Sequence, residues 1–326
     1  MGRKKINVLI TAASRRVALI RGFQNALKAS GTPGEVIATD TDPLSPALFF
    51  CPRYHNTPLS NAPGYIPAIM DICKKEEIGL LIPTIDEELP LFGRHKKEFA
   101  AAGVTIPVVD EEIGEICNDK YKTYHFFKSH GLPMAETYLP DEVRQKKPVL
   151  PLFIKPRAGR GAVSAYPINS ARELDFFLEY VHDPVVQRFL PGKEYTIDVL
   201  CDFAGRVISI VPRQRMVIRS GVCDKGRTEK HPALMRLAEE AACALKLIGP
   251  ANLQCKMDGD TVTFFEVNPR FSGAIQLTIN AGADFPRLIL EMMHGDIPAR
   301  IGDFEDNLTM VSYEESVYRA GGGWRR

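Results

Sequence analysis

Two hydrophobic rhythms divide this chain, and the change between them limits its possible folds more than any other feature. From Ile6 to about Glu115, short apolar runs alternate with amphipathic stretches. Residues 6–10, 36–39, 80–83 and 104–109 have strand length, whereas 17–29, 65–77 and 89–102 carry apolar side chains at helical spacing. This alternation predicts βαβ units and a Rossmann-like parallel sheet. The expected strands end in Thr11, Asp40 and Thr84, with Asp86 just beyond, and ligands of open α/β sheets sit at such carboxyl ends.

Beyond Asn118 the pattern changes. A short helix at 120–129 is closed by Gly131 and Pro133. Strands are then expected at 152–156, 162–167, 185–190, 194–202 and 206–211, joined by turns that contain Gly or Pro, with helices at 171–180 and 232–245. This is an α+β region built on antiparallel pairs. A length of 326 residues suits two folding units, with the boundary near residue 115.

Composition narrows the function classes. An apolar share of 45% and a charged share of 25% exclude disordered and collagen-like chains. Lys plus Arg number 41 against 40 Asp plus Glu, so no global field recruits nucleic acid or a membrane surface, and any cationic site is local. The 7 cysteines include no CxxC pair, which points to reduced thiols. The first apolar run is too short for a signal peptide core, so a cytoplasmic location is expected. The end of the chain, Gly321-Gly322-Gly323-Trp324-Arg325-Arg326, is expected to fray.

Three segments carry chemistry. In Phe153-Ile154-Lys155-Pro156-Arg157-Ala158-Gly159-Arg160-Gly161-Ala162-Val163-Ser164, a Lys-bearing strand meets a loop whose glycines let backbone amides approach phosphate oxygens. No GxxxxGK[ST] P-loop is present. The stretch Val185 to Asp198 reads as strand, turn and strand, with Glu194 placed to accept from ribose hydroxyls. In the third, two strands flank Asp258-Gly259-Asp260, a hairpin signature. Period two puts Glu266 and Asn268 on one face; a three-residue loop adds Gln254 to that face, and a two-residue Asp-Gly loop removes it. Three such oxygens suit Mg²⁺, and Arg270 adds a charged fork for an anion.

Asn118-Asp119-Lys120, Ile154-Lys155-Pro156 with its glycine loop, Gln187 to Glu194, and Phe265-Glu266-Val267-Asn268-Pro269-Arg270 occur in this order. In order and spacing they resemble the ATP-grasp superfamily, most closely the ATP-grasp units of the carbamoyl phosphate synthase large subunit and its stand-alone relatives. The resemblance implies a pre-ATP-grasp domain at 1–115 and an ATP-grasp domain at 116–320, with a lid at about 124–186 and a metal-binding core at about 187–320. Lys120 and Lys155 would contact ATP phosphates beneath a loop that includes Gly159, Gly161 and Ser164. Gln187, Arg188, Phe189 and Leu190 would form the adenine hinge, Glu194 would hold the ribose, and Gln254, Glu266 and Asn268 would bind Mg²⁺ or Mn²⁺. Arg270 would face the transferred phosphate or the acyl substrate. Many relatives carry a carboxylate where this chain has Gln254; the synthase is similar in using Gln.

The implied activity is a carboxylate–amine ligase with small-molecule substrates and no nucleic-acid or membrane partner; many relatives dimerise. Opposing two anions requires cations, and Arg213, Arg215 and Arg219 share one face of an extended strand, with Lys225 and His231 in a following loop. Arg215 and Lys225 join Arg270 as catalytic candidates. Residues 273–276 read equally as pocket lining or as a tight turn. Two rivals stand beside this reading. One is a nucleotide-binding regulatory protein without turnover. The other is a nicotinamide oxidoreductase, which Asp40 would suit but the glycine-free Thr11-Ala12-Ala13-Ser14-Arg15-Arg16 does not.

Overall fold

The computed structural model of the chain describes residues 3–159, 161, 163–300, 302–320 and 323–325. The parts of the expected glycine loop at 160 and 162, and of the expected tail at 321, 322 and 326, lie outside the described residues.

The first rhythm forms β1 (Asn7–Ile10), α1 (Val17–Ser30), β2 (Val36–Asp40), β3 (Arg53–Asn56), α2 (Tyr65–Lys75), β4 (Ile78–Ile82) and α3 (Leu89–Ala101). Its strands are parallel in the order β3-β2-β1-β4. The edge strand β3 was not expected, because Arg53-Tyr54-His55-Asn56 has no apolar run. Residues 104–109 were expected to be a strand, but only Thr105 bridges to Leu80. α2 and α3 cover one face, burying Ile69, Phe92 and Phe99 against Leu9 and Leu81. α1 covers the other with Leu19 and Phe23, each buried apolar side chain contributing about 1.5–3 kcal/mol.

α4 (Glu111–Asn118) and α5 (Lys120–Ser129) lead into the second half, where Asp119 caps α5 by accepting from the amides of Tyr121 and Lys122. Then come β5 (Thr137–Tyr138), α6 (Pro140–Lys146), β6 (Leu152–Pro156), β7 (Tyr166–Ile168), α7 (Ala171–Tyr180) and β8 (Pro184–Arg188). They make a small sheet ordered β5-β8-β6-β7 with its own core of Val143, Leu152, Ile154, Ile168, Val181 and Val186. The strand expected from residue 162 begins only at Tyr166. α5 stays outside this unit and buries Phe127 against Phe264 of the larger sheet.

That larger sheet contains β9 (Lys193–Cys201), β10 (Val207–Arg219), β11 (Val222–Thr228), β12 (Gly249–Asp258) and β13 (Thr261–Asn268), with α8 (Pro232–Ala244) following β11. After α9 (Ile275–Asn280) and α10 (Phe285–Met293), β14 (Thr309–Val311) completes the order β13-β12-β9-β10-β11-β14. Alternation assigns its faces: Ile197, Val199, Leu253, Cys255 and Phe264 pack on Leu234, Ala238, Ala241 and Ala242 of α8. The opposite face carries polar side chains. α10 returns to the first domain, where Phe285, Leu288 and Ile289 join the core of α1. At the end of the chain, β15 (Tyr318–Ala320) pairs with β16 (Gly323–Arg325), so residues 323–325 form a hairpin strand where fraying was expected. No described helix is long and apolar enough to cross a membrane.

Candidate functional site

The polar face of the large sheet, the carboxyl ends of the parallel sheet and the small sheet enclose one cleft of about 1220 Å³. Strand register lays its floor in rows. Glu266 stands opposite Gln254, Gln254 opposite Thr196, and Thr196 opposite Arg213. Directly paired residues share a face, so this row points into the cleft, and all four side chains line it.

A β-bulge makes that row possible. The β12–β13 hairpin turns through Gly259 and Asp260, and the ladder pairs Asp258 with Thr261 and Cys255 with Phe264. Continued regularly, it would place Phe265 opposite Gln254 and turn Glu266 into the core. The register instead shifts between Gln254 and Cys255, so Phe265 and Glu266 together oppose Gln254. Phe264 and Val267 both stay in the core, and Phe265 and Glu266 both line the cleft. Neither loop length considered from sequence foresaw this.

The bulged residue also meets the small sheet. Lys155 on β6 donates from Nζ to the Phe265 carbonyl at 3.3 Å and stands 5.2 Å from the Phe265 ring centroid. Burial pushes the Lys155 ammonium down to about 7; Glu266 opposes the shift and Lys120 adds to it. Lys120 is buried and donates to Gly159 O at 3.0 Å, so it holds the glycine loop and is not part of the cleft lining. Gly161 lines the cleft, whereas Gly159 and Ser164 do not. Gly221, with φ of +75°, turns the β10–β11 hairpin against this loop, and a Cβ there would come within 2.7 Å of the Gly161 backbone.

Gln187, Arg188, Phe189, Leu190 and Glu194 line the same cleft. Gln187 is buried and donates to Thr137 Oγ1, and the amides of Arg188 and Phe189 are taken by the carbonyls of Glu136 and Pro151. Arg215 is committed to three partners: Nη1 donates to Glu194 Oε1 and to Gln254 Oε1, both at 2.8 Å, and Nη2 donates to Gly221 O at 2.7 Å. Arg270 is buried against Asp86, where Nε donates to Oδ1 at 2.9 Å and Nη2 to Oδ2 at 2.6 Å. Burial works against its charge, but Asp86, helped by Glu266 and Glu87, more than offsets it, and the guanidinium is held above its ordinary value. Asn268 turns its oxygen to Arg270 Nη2 at 3.2 Å and does not line the cleft. Lys225, expected in a substrate loop, is instead exposed on β11, paired through its backbone with Val217 and Val311, and away from the lining.

Sequence reasoning missed several groups. Arg213 was placed on the cationic face, but its buried ion pair with Asp198 was not foreseen. Asp86 was seen only as the residue beyond a strand end. Glu88, two residues on, accepts from Thr11 Oγ1 at 2.9 Å and from the Tyr65 hydroxyl, and burial raises its carboxyl to about 7. Single acidic residues carry no sequence signal for such partners. Asp40, the basis of the nicotinamide reading, spends Oδ2 on Ser14 N at 2.6 Å and Oδ1 on Asp42 N at 2.9 Å, leaving its carboxylate to order the β1–α1 loop. Arg16 donates to the carbonyls of Phe271 and Thr84, and Arg15 lines the cleft.

The donor set fits Mg²⁺ that arrives with nucleotide phosphates. Among the described residues no cluster of three His, Cys, Asp or Glu side chains forms a metal site of its own. Glu266 and Gln254 face the cleft side by side, Gln254 Oε1 keeping one lone pair beside the one that accepts from Arg215, and Mg²⁺ takes one or two protein oxygens together with phosphate and water.

Comparison with known proteins agrees with this architecture. Residues 181–316 match the family model described as ATP-grasp in the biosynthetic pathway with Ter operon, and residues 8–108 match the PylC-like N-terminal domain. Among solved structures, the chain is similar to the biotin carboxylase domain of Hydrogenobacter thermophilus 2-oxoglutarate carboxylase, a dimer in complex with MgADP, ADP and bicarbonate. The TM-score is 0.72 at 16% identity, covering 93% of this chain and 73% of that one. The L-amino acid ligase of Bacillus licheniformis aligns with a TM-score of 0.69 at 19% identity over 91% of this chain and 76% of that one. The N5-carboxyaminoimidazole ribonucleotide synthetase of Thermus thermophilus aligns with 0.70 at 16% identity over 93% and 81%.

Proposed function

Because the chain carries the ATP-grasp fold behind a PylC-like N-terminal domain, we propose that it is an ATP- and Mg²⁺-dependent ligase that activates a carboxylate for capture by an amine. The observation that carries this reading is the bulged register that sets Glu266 against Gln254 directly beside Lys155. Phosphate-directed charge and oxygen ligands for a nucleotide-borne cation thus meet on one cleft floor. Solved structures of this fold include an amino acid ligase and a synthetase, which supports the same class.

In the proposed reaction a substrate carboxylate oxygen bonds to the γ-phosphorus of ATP, the bridging P–O bond to the β-phosphate breaks, and ADP leaves. The amine nitrogen then bonds to the acyl carbon, the C–O bond to phosphate breaks, inorganic phosphate leaves, and the amine proton passes to solvent. Mg²⁺ held by Glu266 and Gln254 would supply charge neutralisation at the phosphates. Lys155, in its protonated form, places a positive charge against them from the small sheet. Gly161 and Val163 line the same space from the glycine loop. Gln187 to Leu190 and Glu194 hold the nucleoside end. Arg270 is a positioning residue: its pair with Asp86 fixes the carboxyl ends of the parallel sheet relative to β13.

The test is ADP release with Mg²⁺ and mixtures of carboxylates and amines. Release that needs both Mg²⁺ and a carboxylate supports the ligase. ATP binding without release in any mixture supports a regulatory nucleotide-binding protein.

A further inference from the structure

Lys155 meets the cleft floor at β13, one edge of the large sheet. Towards the other edge, β10, β11 and the segment after β14 give the cleft an apolar wall. Ile218, Val222 and Tyr313 are left 42%, 47% and 77% exposed, and all three line the cleft. Backbone contacts bring them together. Ile218 pairs with Cys223 and Arg219 with Val222 across the β10–β11 hairpin, and the Ser312 amide donates to Asp224 O at 2.9 Å, which sets Tyr313 beside that hairpin. Val222 rests on Gly273, another lining residue: a Cβ there would stand 3.3 Å from Val222 Cγ1. Gly273 has no left-handed φ that calls for glycine, so its missing side chain makes room for Val222. The charge beside the wall is paired, since Arg219 donates to Glu314 at 3.0 Å and to Asp224 at 3.4 Å. Clustered apolar area with a polar border marks a binding surface.

We propose that this wall is the specificity subsite for an apolar group on the carboxylate substrate. This names the class of that substrate, an acid with a hydrophobic chain or ring several bonds from its carboxyl group, and rests on the ligase reading. Direction and distance select the class. In-line transfer aims the reacting oxygen at the γ-phosphorus, so the carbon skeleton extends away from the nucleotide. Away from Glu266 and Gln254 the floor runs through Thr196 and Arg213 to β11. β11 lies three strands from β12, about 14 Å, so the wall meets the far end of the acid and not its reacting group. An apolar end removes the surface of Ile218 and Val222 from water, whereas a second carboxylate would meet Asp224 and Glu314.

The experiment measures binding of straight-chain carboxylates from acetate to octanoate, and of the α-amino acids from alanine to 2-aminooctanoate, to the full chain with MgADP by calorimetry. In at least one series affinity should rise about fourfold per added methylene once the chain reaches the wall. Val222→Ser and Gly273→Val, which displaces Val222, should each lower that increment while MgADP still binds, and Val222→Ile should keep it. Affinity independent of chain length in both series, an unchanged increment in Val222→Ser, or tighter binding of 6-aminohexanoate than of hexanoate overturns the subsite. A chain-length increment without ADP release when ATP replaces ADP would overturn the ligase reading and leave the subsite standing. ADP release driven equally well by the shortest and longest acids would do the reverse.

Discussion

Arg270 and Asp86, 184 residues apart, form a two-point ion pair in which Nε and Nη2 donate to the two carboxylate oxygens at 2.9 and 2.6 Å. It joins the strand that carries Glu266 to the turn after β4, so the N-terminal domain and the sheet that floors the cleft are held in register across a buried contact.

That relationship gives the first prediction. Removing one partner strands a buried charge, and Asp86→Ala or Arg270→Ala should each destabilise the protein by about 3–5 kcal/mol. The double variant should lose much less than the sum, since it strands no charge. Denaturant melts of the four proteins check this; additive losses would mean that the pair is not coupled.

A second prediction concerns Lys155. Burial disfavours the charge on its ammonium and brings it down to about 7. Nucleotide phosphates favour the charged form, so ATP binding at pH 8 should take up a fraction of a proton, approaching about one. Calorimetry in buffers of different ionisation enthalpy reads that uptake, and Lys155→Met should abolish it. The sign for stability follows from the same values: between about 7 and 10.5 the unfolded chain binds the proton that folded Lys155 has lost. This group's contribution to stability therefore rises with pH across that window.

Much of this arrangement was legible in the sequence, for physical reasons that differ from part to part. The parallel sheet showed itself because β1, β2 and β4 are apolar runs between amphipathic helices. Edge strand β3 was invisible, since an exposed edge needs no apolar residues. Lys155 and Glu266 were found through motifs on strands. Their meeting was not, because it depends on a bulge at Phe265, and a bulge leaves no mark in hydrophobic period until the core residues Phe264 and Val267 are known. The even spacing of Arg213, Arg215 and Arg219 placed them on one face of an extended strand, and all three side chains line the cleft, although the register shifts between Arg215 and Ile218. It did not show that Arg213 and Arg215 are neutralised by Asp198 and Glu194, since those partners sit on the neighbouring strand.

Glu88 gives a third prediction, with the opposite sign to Lys155. Burial raises its carboxyl from 4.5 to about 7, so the folded protein keeps a proton that the unfolded chain releases, and this group's contribution to stability falls as pH rises through that window. Glu88→Gln removes the titration. The stability difference between variant and parent should shift in the variant's favour from pH 4.5 to 7, by on the order of 3 kcal/mol. Melts at several pH values measure it, and a pH-independent difference would contradict the protonated state.

The central claim is that a carboxylate is phosphorylated in this cleft, and hydroxylamine trapping tests it most directly. With ATP, Mg²⁺, hydroxylamine and a panel of amino acids and small carboxylates, the account predicts a hydroxamate formed in step with ADP for at least one acid. With Glu266→Ala it predicts loss of both. ADP without hydroxamate for every acid, or full activity in Glu266→Ala, would contradict it.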